Sequence, residues 1–146
     1  MADLDIKIAN YDEIQVGDKA EHSKTITETD VVLFAGLSGD FNPLHVNEEY
    51  AKSTQFGRRV AHGSLSFSLI TCILGTILPG PGTLHVSQKL DFRKPVFIGD
   101  TLTATAEVVE KFTKKDGELK FLRIKADVQN QDGVVVTEGE SLVIVL

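Results

Sequence analysis

The stretch AHGSLSFSLITCILGTIL, residues 61 to 78, constrains the fold more than any other part of the chain. Leu65, Phe67, Leu69, Ile70, Ile73, Leu74, Ile77 and Leu78 fall almost all round a helix of about 27 Å. A helix with so little polar surface must be enclosed on most sides. Pro79-Gly80-Pro81-Gly82 stops it. A membrane span is disfavoured: His62, Ser64, Ser66, Ser68 and Thr71 interrupt the apolar run and no second span follows. Cys72, within the run, is expected to be a small buried hydrophobe.

The C-terminal half supplies the cover. Leu102 to Val108 and Leu122 to Val128 alternate apolar and polar residues, the pattern of half-buried antiparallel strands. Asp116-Gly117 and Asp132-Gly133 mark the turns. Residues 134 to 146 form the last strand, and Leu84 to Phe92 another that ends before Pro95. A curved antiparallel sheet wrapped around one long helix is an α+β arrangement, the outline of a hot-dog fold.

The 146 residues suit one domain over 1–146, without repeat or linker. A net charge of −6 without a basic run argues against a nucleic-acid surface. One cysteine excludes an internal disulfide and suits a reducing compartment. Residues 1 to 13 lack a basic stretch followed by an apolar core, so no signal peptide and a cytoplasmic location are expected. The histidines are scattered, without HExxH or paired cysteines, and no metal is expected.

A short helix over residues 27–38 opens with Thr27 and Asp30, spaced as a capping box, and weakens at Gly36 and Gly39. Asn47 is a cap candidate for a second over Glu48–Lys52. Between them lies SGDFNPLH, residues 38 to 45. Pro43 fixes its own backbone and biases Asn42 away from helix. An ordered, non-helical loop would aim Asp40 and His45 the same way, where a carboxylate and an imidazole near one water could move a proton. The same residues are also the ordinary vocabulary of an Asx-turn.

This stretch resembles the signature of the hydratase 2 family, the (R)-specific enoyl-CoA hydratases of the MaoC-like group. That signature has an aromatic, a spacer, a small residue, Gly-Asp-x-Asn-Pro-aliphatic-His, five residues and a small residue. Each element is present from Phe34 to Ala51. Arg59-Val60-Ala61-His62-Gly63 resembles the family's His-Gly helix start, and Leu78 to Thr83, Gln88, Phe92, Pro95-Val96 and Gly99-Asp100 resemble its later blocks. Together these cover roughly residues 15 to 145.

The resemblance implies hydration of a trans-2-enoyl thioester to an (R)-3-hydroxyacyl product. Asp40 would activate water, His45 would hold it and assist proton delivery, and Asn42 would orient the pair. The Gly63 N–H, at a helix N-terminus, would polarise the thioester carbonyl. His62 is assigned to the substrate site, with a structural bond to backbone as the alternative. The helix face from Gly63 through Phe67, Ile70, Thr71 and Leu74 would line the acyl pocket. Leu74, one turn beyond Thr71, would limit chain length. No cofactor is implied, coenzyme A being part of the substrate. Arg58, Arg59, Lys89, Arg93 and Lys94 are candidates for its phosphates. The family pairs two units, which implies at least a homodimer. An acyl-CoA thioesterase and a non-catalytic acyl-binding module are the rival readings, since one fold hosts several activities.

Overall fold

In a computed structural model, residues 6–146 are described. The start of the segment expected to lack a signal peptide, residues 1–5, lies outside them. The elements are β1 (Lys19–Thr25), α1 (Glu28–Ser38), α2 (Pro43–Val46), α3 (Glu48–Lys52), α4 (Gly63–Thr76), β2 (Thr83–Phe92), β3 (Thr101–Lys114), β4 (Leu119–Gln129) and β5 (Val135–Val145). The sheet is antiparallel in the order β1-β3-β4-β5-β2, which leaves β1 and β2 at its edges.

Alternation in β3 and β4 sends Leu102, Ala104, Ala106, Val108, Ile124 and Val128 inward against α4. From the helix come Leu65, Leu69, Ile70, Ile73 and Leu74. Burying each large aliphatic side chain contributes about 1.5–3 kcal/mol, which makes this seam the main source of stability. No helix among the described residues is long and apolar enough to cross a membrane.

The helix is shorter than expected and less enclosed. Ala61 belongs to a short ribbon instead, where its N–H donates to the Val96 carbonyl at 2.7 Å beside a Val60–Phe97 bridge. The sheet covers one face of α4, while Ser64, Ser68, Thr71 and Gly75 form an exposed line along the other. These residues sit at i, i+4, i+7 and i+11, so the small polar positions collect on one stripe. Cys72 flanks that stripe and is partly exposed, not buried.

Strand β1, KAEHSKT, had no counterpart in the sequence reading. It is an edge strand with mostly wet faces, paired to β3 from Lys19↔Glu107 to Thr25↔Thr101. With little to bury, its composition carries no apolar alternation.

Candidate active site

Thr27 caps α1 as expected: its hydroxyl accepts the Asp30 N–H at 3.2 Å and the Asp30 carboxylate accepts the Thr27 N–H at 2.8 Å. The helix ends at Gly39, whose φ of 78° is left-handed and whose N–H donates to the Ala35 carbonyl at 2.9 Å. That conformation is open to glycine at little cost and turns the chain sharply before Asp40.

The next residues are a chain of Asx-type bonds. Asp40 Oδ1 accepts the Asn42 N–H at 3.1 Å, and Asn42 Oδ1 accepts the Leu44 N–H at 3.0 Å. Contrary to the non-helical loop expected, Pro43–Val46 is a single helical turn with Asn42 as its cap and Pro43 at its start. Proline fits there because the first helical N–H has no partner to lose. Asn42 thus holds the turn that carries His45, and Asn47 caps the following α3 by accepting the Tyr50 N–H.

His45 and Asp40 meet at the end of this turn. His45 Nδ1 lies 2.5 Å from the Val60 carbonyl, so Nδ1 carries the hydrogen that is donated. Its Nε2 faces Asp40 Oδ2 at 3.8 Å, beyond a direct hydrogen bond. Both atoms are within reach of one oxygen placed about 2.8 Å from each. The Asp40 side chain is half exposed and that of His45 is largely covered.

His62 lies behind them. Its Nε2 is 2.9 Å from the Asp40 carbonyl, to which it donates. The ring makes tilted contacts with His45, centroids 3.9 Å apart, and with Phe34, at 4.8 Å. It is 2% exposed, and its buried Nδ1 has no hydrogen-bond partner among the described residues.

Asp40, His45 and His62 therefore bring three metal-ligating side chains together, with ligand atoms within 4.8 Å. Scattered sequence positions did not foretell this. The hydrogen bonds work against a common ligand set: His45 Nδ1 and His62 Nε2 are committed to carbonyls, which leaves Asp40 and one nitrogen of His45 facing each other.

Beside this group opens a cleft of about 470 Å³ lined by His45, Phe56, Gly63, Phe92, Val96 and Thr137, among others. Gly63 is the first residue of α4, so its N–H has no intrahelical acceptor. A Cβ at Gly63 would lie 2.9 Å from the Phe92 ring. A side chain at this position would have to displace the Phe92 ring. On the cleft wall, Ser66 donates to the Gly63 carbonyl at 2.7 Å and shares a 2.6 Å hydrogen bond with Thr137. A larger groove, about 650 Å³, lies on the outer sheet face among Lys19, Lys89, Glu107 and Glu140, away from Asp40 and His45.

The sequence-predicted acyl line is placed elsewhere. Phe67 is half-buried with its ring 6.0 Å from His85, Thr71 is exposed, and Leu74 is 2% exposed in the core. None of the three lines the cleft beside Gly63. Phe56, Phe92 and Thr137, which do, come from separate segments that no local spacing connects. Ser66 had a local signal, a small polar residue three positions beyond Gly63 on an apolar helix.

Of the five cations proposed for phosphates, two are committed to carboxylates. Arg59 donates to Glu28 and Glu48, and Arg93 to Glu138. The Arg59 side chain hydrogen-bonds Glu28 and holds that carboxyl below its usual value. Lys89 belongs to the outer groove. Lys94 lines the cleft, and Arg58 stacks 3.8 Å above the Phe97 ring. No carboxylate among the described residues pairs with either.

The sequence profile described as the MaoC-like domain matches residues 11–130. The chain is 47% identical to an (R)-specific enoyl-CoA hydratase of Rhodospirillum rubrum over 97% of this chain and 94% of that one. It is 39% identical to a 3-hydroxybutyryl-CoA dehydratase of Methylorubrum extorquens, over 95% and 85% of the two chains. The solved structure of R-hydratase PhaJ1 from Pseudomonas aeruginosa superposes with a TM-score of 0.85 at 44% identity, covering 92% of this chain and 84% of that one. With the hot-dog sheet, the helix packed on it and the Gly-Asp-x-Asn-Pro-x-His turn in place, the chain belongs to the MaoC-like domain family.

Proposed function

We propose that this protein is an (R)-specific enoyl-CoA hydratase, a hydro-lyase that adds water reversibly and syn across trans-2-enoyl-CoA. The observation that carries this reading is the Asp40 carboxylate facing His45 Nε2 at 3.8 Å, where one water can contact both. The likeness to a hydratase of Rhodospirillum rubrum at 47% identity supports the same reaction.

In the hydration direction the water oxygen attacks C3 and one of its protons passes to Asp40. Charge moves from the double bond onto the thioester oxygen, which the Gly63 N–H and the positive end of α4 stabilise. His45 relays the proton to C2 on the same face, and the carboxylate is restored. Oxygen at C3 and hydrogen at C2 come from one water on one side, which makes the addition syn. Asn42 acts through the backbone, by capping the turn that presents His45.

The acyl chain is assigned to a path that enters at the cleft beside Gly63 and runs inward along α4 to Leu74, the core residue that would stop it; Phe67, half-buried, and Thr71, exposed, stand outside this path. Lys94, on the cleft wall and unpaired with any described carboxylate, is the cation best placed for the coenzyme A phosphates.

A second copy of the chain is part of this reading. Large apolar side chains stand exposed at Val32, Leu33, Leu37 and Phe41, on and after α1, and at Leu84 and Val86 on the edge strand β2. An unpaired edge with exposed aliphatic residues favours pairing with another strand, which fits a homodimer.

The test is incubation of the purified protein with crotonyl-CoA. Loss of enoyl absorbance without free thiol, with the (R) product, is expected. Release of thiol would make it a thioesterase, and no change in either signal would make it a binding module.

A further inference from the structure

We propose that His62 is a positioning residue, held neutral with its hydrogen on Nε2, that fixes both catalytic groups at once. The proposal rests on the hydratase reading for its kinetic consequence, though not for its tautomer.

Its first contact is to Asp40. The His62 Nε2–H donates to the Asp40 backbone carbonyl at 2.9 Å and so anchors the residue whose side chain is to take a proton. That backbone has little other support, since the Asp40 N–H is bonded only locally, to the Ser38 hydroxyl at 3.1 Å. Asp40 itself is half exposed. The bond spans 22 positions and ties the turn after α1 to the start of α4. The same residue that precedes the Gly63 amide therefore sets the position of the carboxylate.

The second contact is to His45. The two imidazoles are in tilted contact, with centroids 3.9 Å apart and planes 31° from parallel. Phe34 also contacts His62, with centroids 4.8 Å apart and planes 55° from parallel. His45 can thus neither tilt nor slide towards α4 without displacing a buried ring. Its Nδ1 is held by the Val60 carbonyl, and with the His62 ring beside it this sets where Nε2 points.

The bare Nδ1 of His62 decides the tautomer. It is buried and has no hydrogen-bond partner among the described residues, in a residue only 2% exposed. A hydrogen placed there would be an unsatisfied buried donor, costing about 1–3 kcal/mol, and would also remove the bond to Asp40. A cation would carry the same unsatisfied Nδ1–H, and the one carboxylate beside the ring, Asp40 Oδ2, lies 4.0 Å from Nε2, beyond a hydrogen bond. The two neighbouring imidazoles therefore hold opposite tautomers. His45 carries its hydrogen on Nδ1 and turns a lone pair to the reaction, whereas His62 carries its hydrogen on Nε2 and takes no proton. Proton traffic is confined to His45 and Asp40.

Two measurements test this. Nitrogen-15 NMR of the histidine-labelled wild type at neutral pH should show a neutral His62 protonated at Nε2 beside a His45 protonated at Nδ1. A His62 signal from a cation, or from the Nδ1–H form, contradicts the proposal whatever the enzyme does. Kinetically, His62→Leu removes the donor and should lower kcat about 10²-fold with KM changed less than about threefold, since a misplaced catalytic group loses rate before binding. His62→Gln keeps an N–H near the Nε2 position and should restore at least about tenfold of that loss. Equal kcat in wild type and His62→Leu overturns the positioning role. So does a folded His62→Gln as slow as His62→Leu. These comparisons are made against wild-type turnover, so a wild type that hydrates nothing fails the hydratase reading and leaves the NMR assignment as the test of His62.

Discussion

His45 bonds through Nδ1 to the carbonyl of Val60 at 2.5 Å, so the imidazole that faces Asp40 is oriented by a backbone group 15 residues away. That carbonyl belongs to the short ribbon in which Val60 bridges Phe97, and the preceding residue, Arg59, ties it to Glu28 on α1 and Glu48 on α3. The imidazole is thereby fixed by the framework between α3 and α4 as well as by its own turn. This kind of indirect support holds a general acid–base group within reach of its water.

Arg59→Ala is therefore expected to lower kcat severalfold and to lower the melting temperature. The pH dependence has a definite sign. Arg59 holds the Glu28 carboxyl below its ordinary 4.5 in the folded protein. Such a group contributes stability above the unfolded value, and that contribution is lost as pH falls through the folded value. The melting-temperature gap between wild type and Arg59→Ala should be largest at neutral pH and shrink below about pH 4. A gap that widens on acidification contradicts the assignment.

Leu74→Ala tests the depth of the acyl channel. Leu74 is 2% exposed, so truncation should cost about 2–4 kcal/mol of stability through lost burial and a residual cavity. If the acyl chain ends against it, activity on medium-chain enoyl-CoA should rise relative to crotonyl-CoA. An unchanged chain-length preference in a folded variant would remove Leu74 from the acyl channel.

Lys94→Glu should raise KM for crotonyl-CoA about tenfold while leaving kcat within about twofold, the pattern of lost binding shared by ground and transition states. The effect should weaken with added salt, because an exposed cation and a phosphate are screened. An unaltered KM at low salt would assign the phosphates elsewhere.

Val86→Lys places a charge on the exposed edge strand β2. Light scattering should then report a monomer where the wild type is a dimer, since charged edges resist strand pairing. A wild type that is already monomeric, or a variant that still dimerises, contradicts an interface through β2.

Sequence legibility followed burial. Strands β3 and β4 were legible because their inner residues, such as Ala104 and Ile124, meet α4 while the alternating ones face solvent. β1 was not, because an edge strand with wet faces needs no apolar pattern. The exposed stripe of α4 was hidden by counting apolar residues round the helix instead of asking where Ser64, Ser68 and Thr71 align. At the turn, two readings of Asp40 proved compatible: it makes the Asx bond to Asn42 and also faces His45. The role of His62 lay beyond local spacing, because its partners Asp40, His45 and Phe34 arrive from α1 and the turn after it. The cleft wall was equally beyond reach, being assembled from Phe56, Phe92 and Thr137.

The central claim is that Asp40 moves the proton of the added water, and crotonyl-CoA hydration by Asp40→Asn tests it most directly. The substitution keeps the shape and an oxygen able to accept the Asn42 N–H, so the turn should persist and the melting temperature should stay close to wild type. kcat should fall at least about 10²-fold, the loss expected on removing a positioned acid–base group. A folded Asp40→Asn protein that hydrates crotonyl-CoA at the wild-type rate would contradict it.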